Sequence, residues 1–237
     1  MTTAKPPLWV WVLLVAAIFG VSSAGTLLQQ IELDPLLKAS WRLQLTAVVL
    51  FPFAFFQWRQ QPSEVKEQMF EKRTLGILAL SGLALALHFG AWVASLKYTT
   101  LTHSLLFVTA HPLIVVAGMF ILGIVLTGVR QPTHRELFGA MIGFAGAALT
   151  LLDEGTQQGD NTVTLLGDSL ALLGAFTVVG YIVCGRILRA WMPIFLYAFP
   201  VTLLAAVLLL PASMLVESDY ATYGVFGWLD AAFFGWF

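Results

Sequence analysis

Apolar residues in this chain gather in long, nearly uninterrupted runs, not in the alternations of a sheet or the one-sided stripes of a soluble helix. A helix needs roughly 20 apolar residues to cross the hydrocarbon of a bilayer. Seven runs of that order, bounded by charge, proline or glycine, lie near Leu8–Leu28, Trp41–Trp58, Thr74–Lys97, Leu101–Gly128, Leu137–Leu152, Leu166–Gly185 and Pro193–Leu215. An eighth starts at Phe226 and stops at Phe237. At 1.5 Å per residue it covers about 18 Å of a roughly 30 Å core, so the expectation is a fragment truncated inside a helix. The first run follows Lys5 as a signal peptide would, but it is long for such a segment. It also lacks a clear small-x-small cleavage site before Gln29, so it is read as a helix. The pattern predicts an all-α integral membrane protein, a multi-pass helical bundle.

Composition agrees. Hydrophobic residues make up 59% of the 237 and charged residues 11%, with a mean hydropathy of +0.85. A soluble domain carries about 25% charged residues. The net charge of -1 excludes a strongly basic, nucleic-acid-binding chain. Cys184 is the single cysteine, which rules out an internal disulfide and a cysteine metal cluster and leaves a small apolar filler. No cofactor is called for.

Positive charge sets an orientation. Of the 12 lysines and arginines, all but Lys38, Arg42 and Lys97 fall on one side if the N-terminus is cytoplasmic. The opposite side takes Glu32, Asp34, Asp153, Glu154, Asp160, Glu217 and Asp219. The expected location is the plasma membrane, with the N-terminus inside.

Polar side chains at membrane depth are costly and mark candidate sites. His88, Trp92, Ser95 and Thr99 recur at helical spacing and share one face of the third run. A ring donor and acceptor, a flat indole and a hydroxyl suit a small polar or amphipathic solute. The alternative is that His88 bonds a backbone carbonyl and Trp92 fills a packing gap. Ser104 and His111 share a face of the fourth run, where Pro112 withholds a helix hydrogen bond and frees a carbonyl for a solute, or merely kinks the helix. Arg42 either pairs with a solute carboxylate or phosphate, or snorkels to the headgroups beside Trp41. Lys97 and Tyr98 read as interface anchors. Gly139, Gly143 and Gly146 read as a helix-packing stripe, and Asp168 as a helix cap. No carboxylate lies between Glu71 and Glu136, so a proton relay through the third and fourth helices would need His88 or His111.

An internal echo links the second run, from Pro35 to Pro52, with the seventh, from Pro193 to Pro211. Five helices of separation would invert the second copy in the membrane. The stretch "LHFGAWVASLKYTTLTHSLLFVTAHPLIVV", Leu87 to Val116, resembles the third and fourth helices of the drug/metabolite transporter superfamily, in its EamA-type ten-helix branch. "WRLQLTA" at Trp41 to Ala47 is similar to that family's second helix, "GAMIGFAGAALTLL" at Gly139 to Leu152 to its fifth, and "LLGDSLALLGAFTVVGYIV" at Leu165 to Val183 to the opening of its second repeat. The resemblance implies inverted five-helix repeats with the second incomplete: residues 1–152, a loop at 153–165, and a partial repeat at 166–237. It also implies export or exchange of a small metabolite. One departure is Ile124, which follows Leu122 and Gly123 where the family often has a glutamate.

The substrate site expected on these grounds comprises His88, Trp92, Ser95, Ser104, His111 and Arg42. Its partners are a small-molecule substrate and the lipid bilayer, with a homodimer left open and no nucleic acid. The rivals are a seven-helix receptor or retinal protein and an intramembrane enzyme. The seventh run lacks the lysine a retinal protein needs, and the chain has neither H-E-x-x-H nor G-x-S-x-G.

Overall fold

The computed structural model describes residues 7–30, 34–125, 131–149 and 163–216, all helix and short connections. In chain order the helices are α1 (Leu8–Gln30), α2 (Pro35–Gln60), α3 (Ser63–Met69), α4 (Lys72–Tyr98), α5 (Leu101–Val108), α6 (His111–Val125), α7 (His134–Leu149), α8 (Leu165–Leu188) and α9 (Ile194–Val216). Among the described residues, five segments are long and apolar enough to cross a membrane: Pro35–Gln60, Lys72–Tyr98, Leu101–Ile121, Leu165–Leu188 and Ile194–Leu215. The protein is therefore a multi-pass helical membrane protein. Helices α1 and α7 occupy the first and fifth runs, and the eighth run lies outside the described residues.

Local chemistry starts these helices where the sequence permits. Asp34 accepts from the Leu36 amide at 2.9 Å, and Pro35, which has no N–H to satisfy, takes the first helical position of α2. Thr133 and Glu136 form a reciprocal capping box at α7, with the Thr133 amide 2.8 Å from the Glu136 carboxylate and the Glu136 amide 3.3 Å from Thr133 Oγ1. The α9 start is capped from a distance: Gln57 Oε1 on α2 accepts from the Phe195 amide at 3.0 Å.

Helix α4 is the centre of the bundle. It packs most extensively on α8 and then α9, while α2 lies along α9. Small residues set these approaches, as expected where lipid removes most of the hydrophobic drive between helices. A Cβ at Gly82 would lie 2.7 Å from Leu204, and one at Gly90 would lie 3.3 Å from Leu209. Buried hydroxyls tie the same seams: Ser81 bonds the Tyr197 hydroxyl at 2.6 Å, and that hydroxyl donates to the Tyr181 carbonyl at 3.2 Å. Cys184 is buried. The outer faces carry Phe51, Phe53, Leu83, Leu203 and Val207, an exposed apolar belt.

The glycine stripe of α7 departs from the expectation. A Cβ at Gly139, Gly143 or Gly146 would meet nothing within 4 Å, so no described helix uses that stripe for close approach. The close contacts fall instead on Gly82, Gly90, Gly167, Gly174 and Gly185, scattered over α4 and α8.

Candidate functional site

The face shared by His88, Trp92, Ser95 and Thr99 turns toward α8 and α5, and each of its residues has a distinct role. Gly174 on α8 makes the contact possible: a Cβ there would sit 3.3 Å from Trp92 Cβ and 3.4 Å from the His88 carbonyl oxygen. With the helices this close, the Gly174 carbonyl reaches His88 Nδ1 at 2.9 Å. A carbonyl can only accept, so Nδ1 carries a proton. The imidazole stacks on Trp92 with centroids 6.1 Å apart and an interplanar angle of 16°, and Phe89 closes the cluster at 5.1 Å from His88.

Arg42 joins this cluster from α2. It lies about 10 Å along the helix from Pro35, two turns below the end. Its guanidinium carbon is 5.1 Å from the Phe89 ring centroid and 6.0 Å from that of Trp92. The head is therefore laid across aromatic rings instead of reaching up to a headgroup beside Trp41. Burial leaves the Nη1 of Arg42 and the Nε1 of Trp92 without a hydrogen-bond partner. Each unmet buried donor costs about 1–3 kcal/mol, and more for a charged group.

One turn further along, Ser95 and Ser104 face each other. Ser95 donates to the Trp92 carbonyl at 2.6 Å and lies 2.6 Å from Ser104 Oγ, so Ser104 supplies the proton between them. Both are completely buried. Their hydroxyls are spent on each other and on the backbone, which joins α4 to α5 and holds the Trp92 turn.

His111 begins a separate helix, α6. The fourth run is not one helix: it breaks at Thr109 and Ala110, so the continuous face expected for Ser104 and His111 is interrupted. Pro112 cannot donate to the Val108 carbonyl, and His111 Nδ1 approaches that freed oxygen at 3.3 Å. Thr109, His111, Pro112, Arg135, Gly139, Gly143 and Arg186 line a cavity of about 660 Å³ between α6, α7 and α8. Gly139 and Gly143 of α7 thus border this cavity.

At the end of the bundle that holds Tyr98, a polar network joins α4, α5 and α8. Asp168 accepts from Thr99 Oγ1 at 2.8 Å and from His103 Nδ1 at 3.2 Å. The cap of α8 is Thr164, which accepts from the Gly167 amide at 3.1 Å and donates to the Tyr98 carbonyl. The sequence reading of Asp168 as a cap is corrected: its carboxylate faces the neighbouring helices, and the hydroxyl four residues earlier does the capping. A Cβ at Gly167 would lie 2.5 Å from Thr99 Cβ, so the helices touch there. Lys97 pairs with Asp34 at 3.8 Å alongside, which gives this lysine a partner beyond an anchoring role.

Sequence reasoning missed Phe89, His103 and the Gly174 carbonyl. Phe89 sits three residues before Trp92, a spacing that puts both rings within reach of one cation from a neighbouring helix. His103 follows Thr99 across a non-helical corner, where helical spacing gives no guidance. Among the described residues no group of three His, Cys, Asp or Glu side chains is placed to hold a metal ion. A model of the EamA-like transporter family matches residues 7–152. No curated protein and no solved structure matches the chain.

Proposed function

The chain belongs to the EamA-like transporter family, membrane transporters of small molecules, and on that premise we propose that it carries a small metabolite across the plasma membrane by alternating access. The solute contacts are Arg42, His88 and Trp92. Ser95 and Ser104 brace them, and His111 lies in the adjoining cavity at the break in the fourth span. The observation that carries this reading is a guanidinium sunk between helices, laid over two rings, with donors unmet on both itself and the neighbouring indole. A charged residue is costly at that depth unless it serves a solute or a partner.

Further support comes from the inverted-repeat arrangement inferred for the fold. The two runs that echo each other in proline spacing, α2 and α9, begin at or next to a proline and pack directly together. Inverted repeats build two-sided access around a central site. In this account the N-terminus is cytoplasmic, and the Asp168 network is the closed outer side.

Two-sided labelling tests alternating access. With Cys184→Ser as background and Phe89→Cys as the probe, a small membrane-impermeant thiol reagent should react from either face of oriented vesicles. Reaction from one face alone would contradict the mechanism.

A further inference from the structure

Arg42 places a guanidinium between the helices, and the described residues bring no carboxylate to it: Asp34 lies 3.8 Å from Lys97, and Asp168 bonds Thr99 and His103. Its rings stabilise the cation from the faces of Phe89 and Trp92 but accept no hydrogen bond in the plane of the fork. The unmet Nη1 therefore wants an acceptor, and a charged one, since a neutral hydroxyl or carbonyl would leave the buried charge uncompensated. A second unmet donor, the indole Nε1 of Trp92, belongs to one of the rings that the guanidinium covers. A carboxylate has two oxygens to offer two such donors. The surrounding walls are rings: Phe89, Trp92 and the stacked His88.

We propose that Arg42 and Trp92 form a binding site for a carboxylate, and that the solute is a compact organic acid whose apolar body lies against the rings of Phe89 and His88. This inference rests on the transport reading and narrows it from a small metabolite to an organic anion. Both donors are sealed from solvent, so the acid reaches them when α2 and α4 part, and its arrival gives Arg42 Nη1 and Trp92 Nε1 an acceptor.

The test compares two probes of the same shape, 3-phenylpropionate and 3-phenylpropanol, on the full-length protein in phosphatidylcholine nanodiscs, which hold no anionic headgroup to compete. Affinities come from calorimetry. The acid should bind at least about tenfold more tightly than the alcohol, the ratio one charge-assisted hydrogen bond supplies. Arg42→Gln should bring the two within about twofold, and Trp92→Phe, which keeps the ring and removes the N–H, should weaken the acid about three- to tenfold and leave the alcohol alone. If Arg42→Gln fails to fold, the wild-type indole N–H resonance of Trp92, assigned through Trp92→Phe, serves instead: it should move on adding the acid and stay put with the alcohol. Equal affinities, no binding of the acid at millimolar concentration, an acid preference that survives in folded Arg42→Gln, or an unmoved Trp92 resonance would each overturn the proposal. Acid binding without flux would sustain the site while refuting transport, and flux of a solute with no acid preference would do the reverse.

Discussion

Trp92 is as much a packing residue as a contact residue, and that decides how it should be tested. It is only 7% exposed and belongs to the buried core with Leu43, Val93 and Val201. Trp92→Ala would cost about 3–5 kcal/mol of packing whatever the role of the ring, so a loss of transport would be uninterpretable. Trp92→Phe keeps most of the volume, and we expect it to slow uptake several-fold while the yield of folded protein stays near wild type. Unchanged uptake would reduce Trp92 to packing. The glycines divide in the same physical way. Gly167→Ala places a methyl group 2.6 Å from the Tyr98 carbonyl oxygen and should destabilise by about 1–3 kcal/mol. Gly143→Ala meets open space and should be neutral or stabilise by up to about 1 kcal/mol, because glycine is a poor helix former. Unfolding midpoints in one detergent compare the two, and equal shifts would contradict these contacts.

The break between α5 and α6 makes a prediction at the level of the element. Pro112→Ala restores an amide to bond the Val108 carbonyl, so the two pieces should merge into one straighter helix and His111 should lose its approach to that oxygen. The variant should be at least as stable as wild type yet transport more slowly, and stability without a change in rate would show the kink to be incidental. The break also shows what a single sequence can convey. Run length and boundary residues locate α2, α4, α8 and α9 because lipid demands unbroken helices of fixed span. Helical phase likewise groups His88, Trp92, Ser95 and Thr99, since spacing along one helix is a local property. Which helix each of them meets is not local. That Gly174 would present its carbonyl to His88, or that Arg42 would turn onto Phe89 and not up to the interface, depends on how α2, α4 and α8 pack, and apolar helices say little about their neighbours. The α7 stripe shows the same limit: its spacing permits close packing, and no described helix supplies it.

For the whole molecule, membership in the transporter family fixes the class of activity, and the charge bias supplies an orientation that can be checked without knowing the solute. Ser63→Cys, at the start of α3, should be shielded from an external impermeant reagent, and Val163→Cys, just before α8, should react; the reverse pattern would invert the proposed topology. The central claim is that the Arg42, His88 and Trp92 cluster is where a solute is held as it crosses. Its most direct test is the initial rate of uptake of labelled organic acids into proteoliposomes holding equal amounts of folded full-length wild type, Arg42→Gln or Trp92→Phe. The account predicts uptake above protein-free vesicles by wild type and at least a tenfold lower rate for Arg42→Gln, about 1.4 kcal/mol of lost binding. Equal rates for the wild type and a well-folded Arg42→Gln would contradict it.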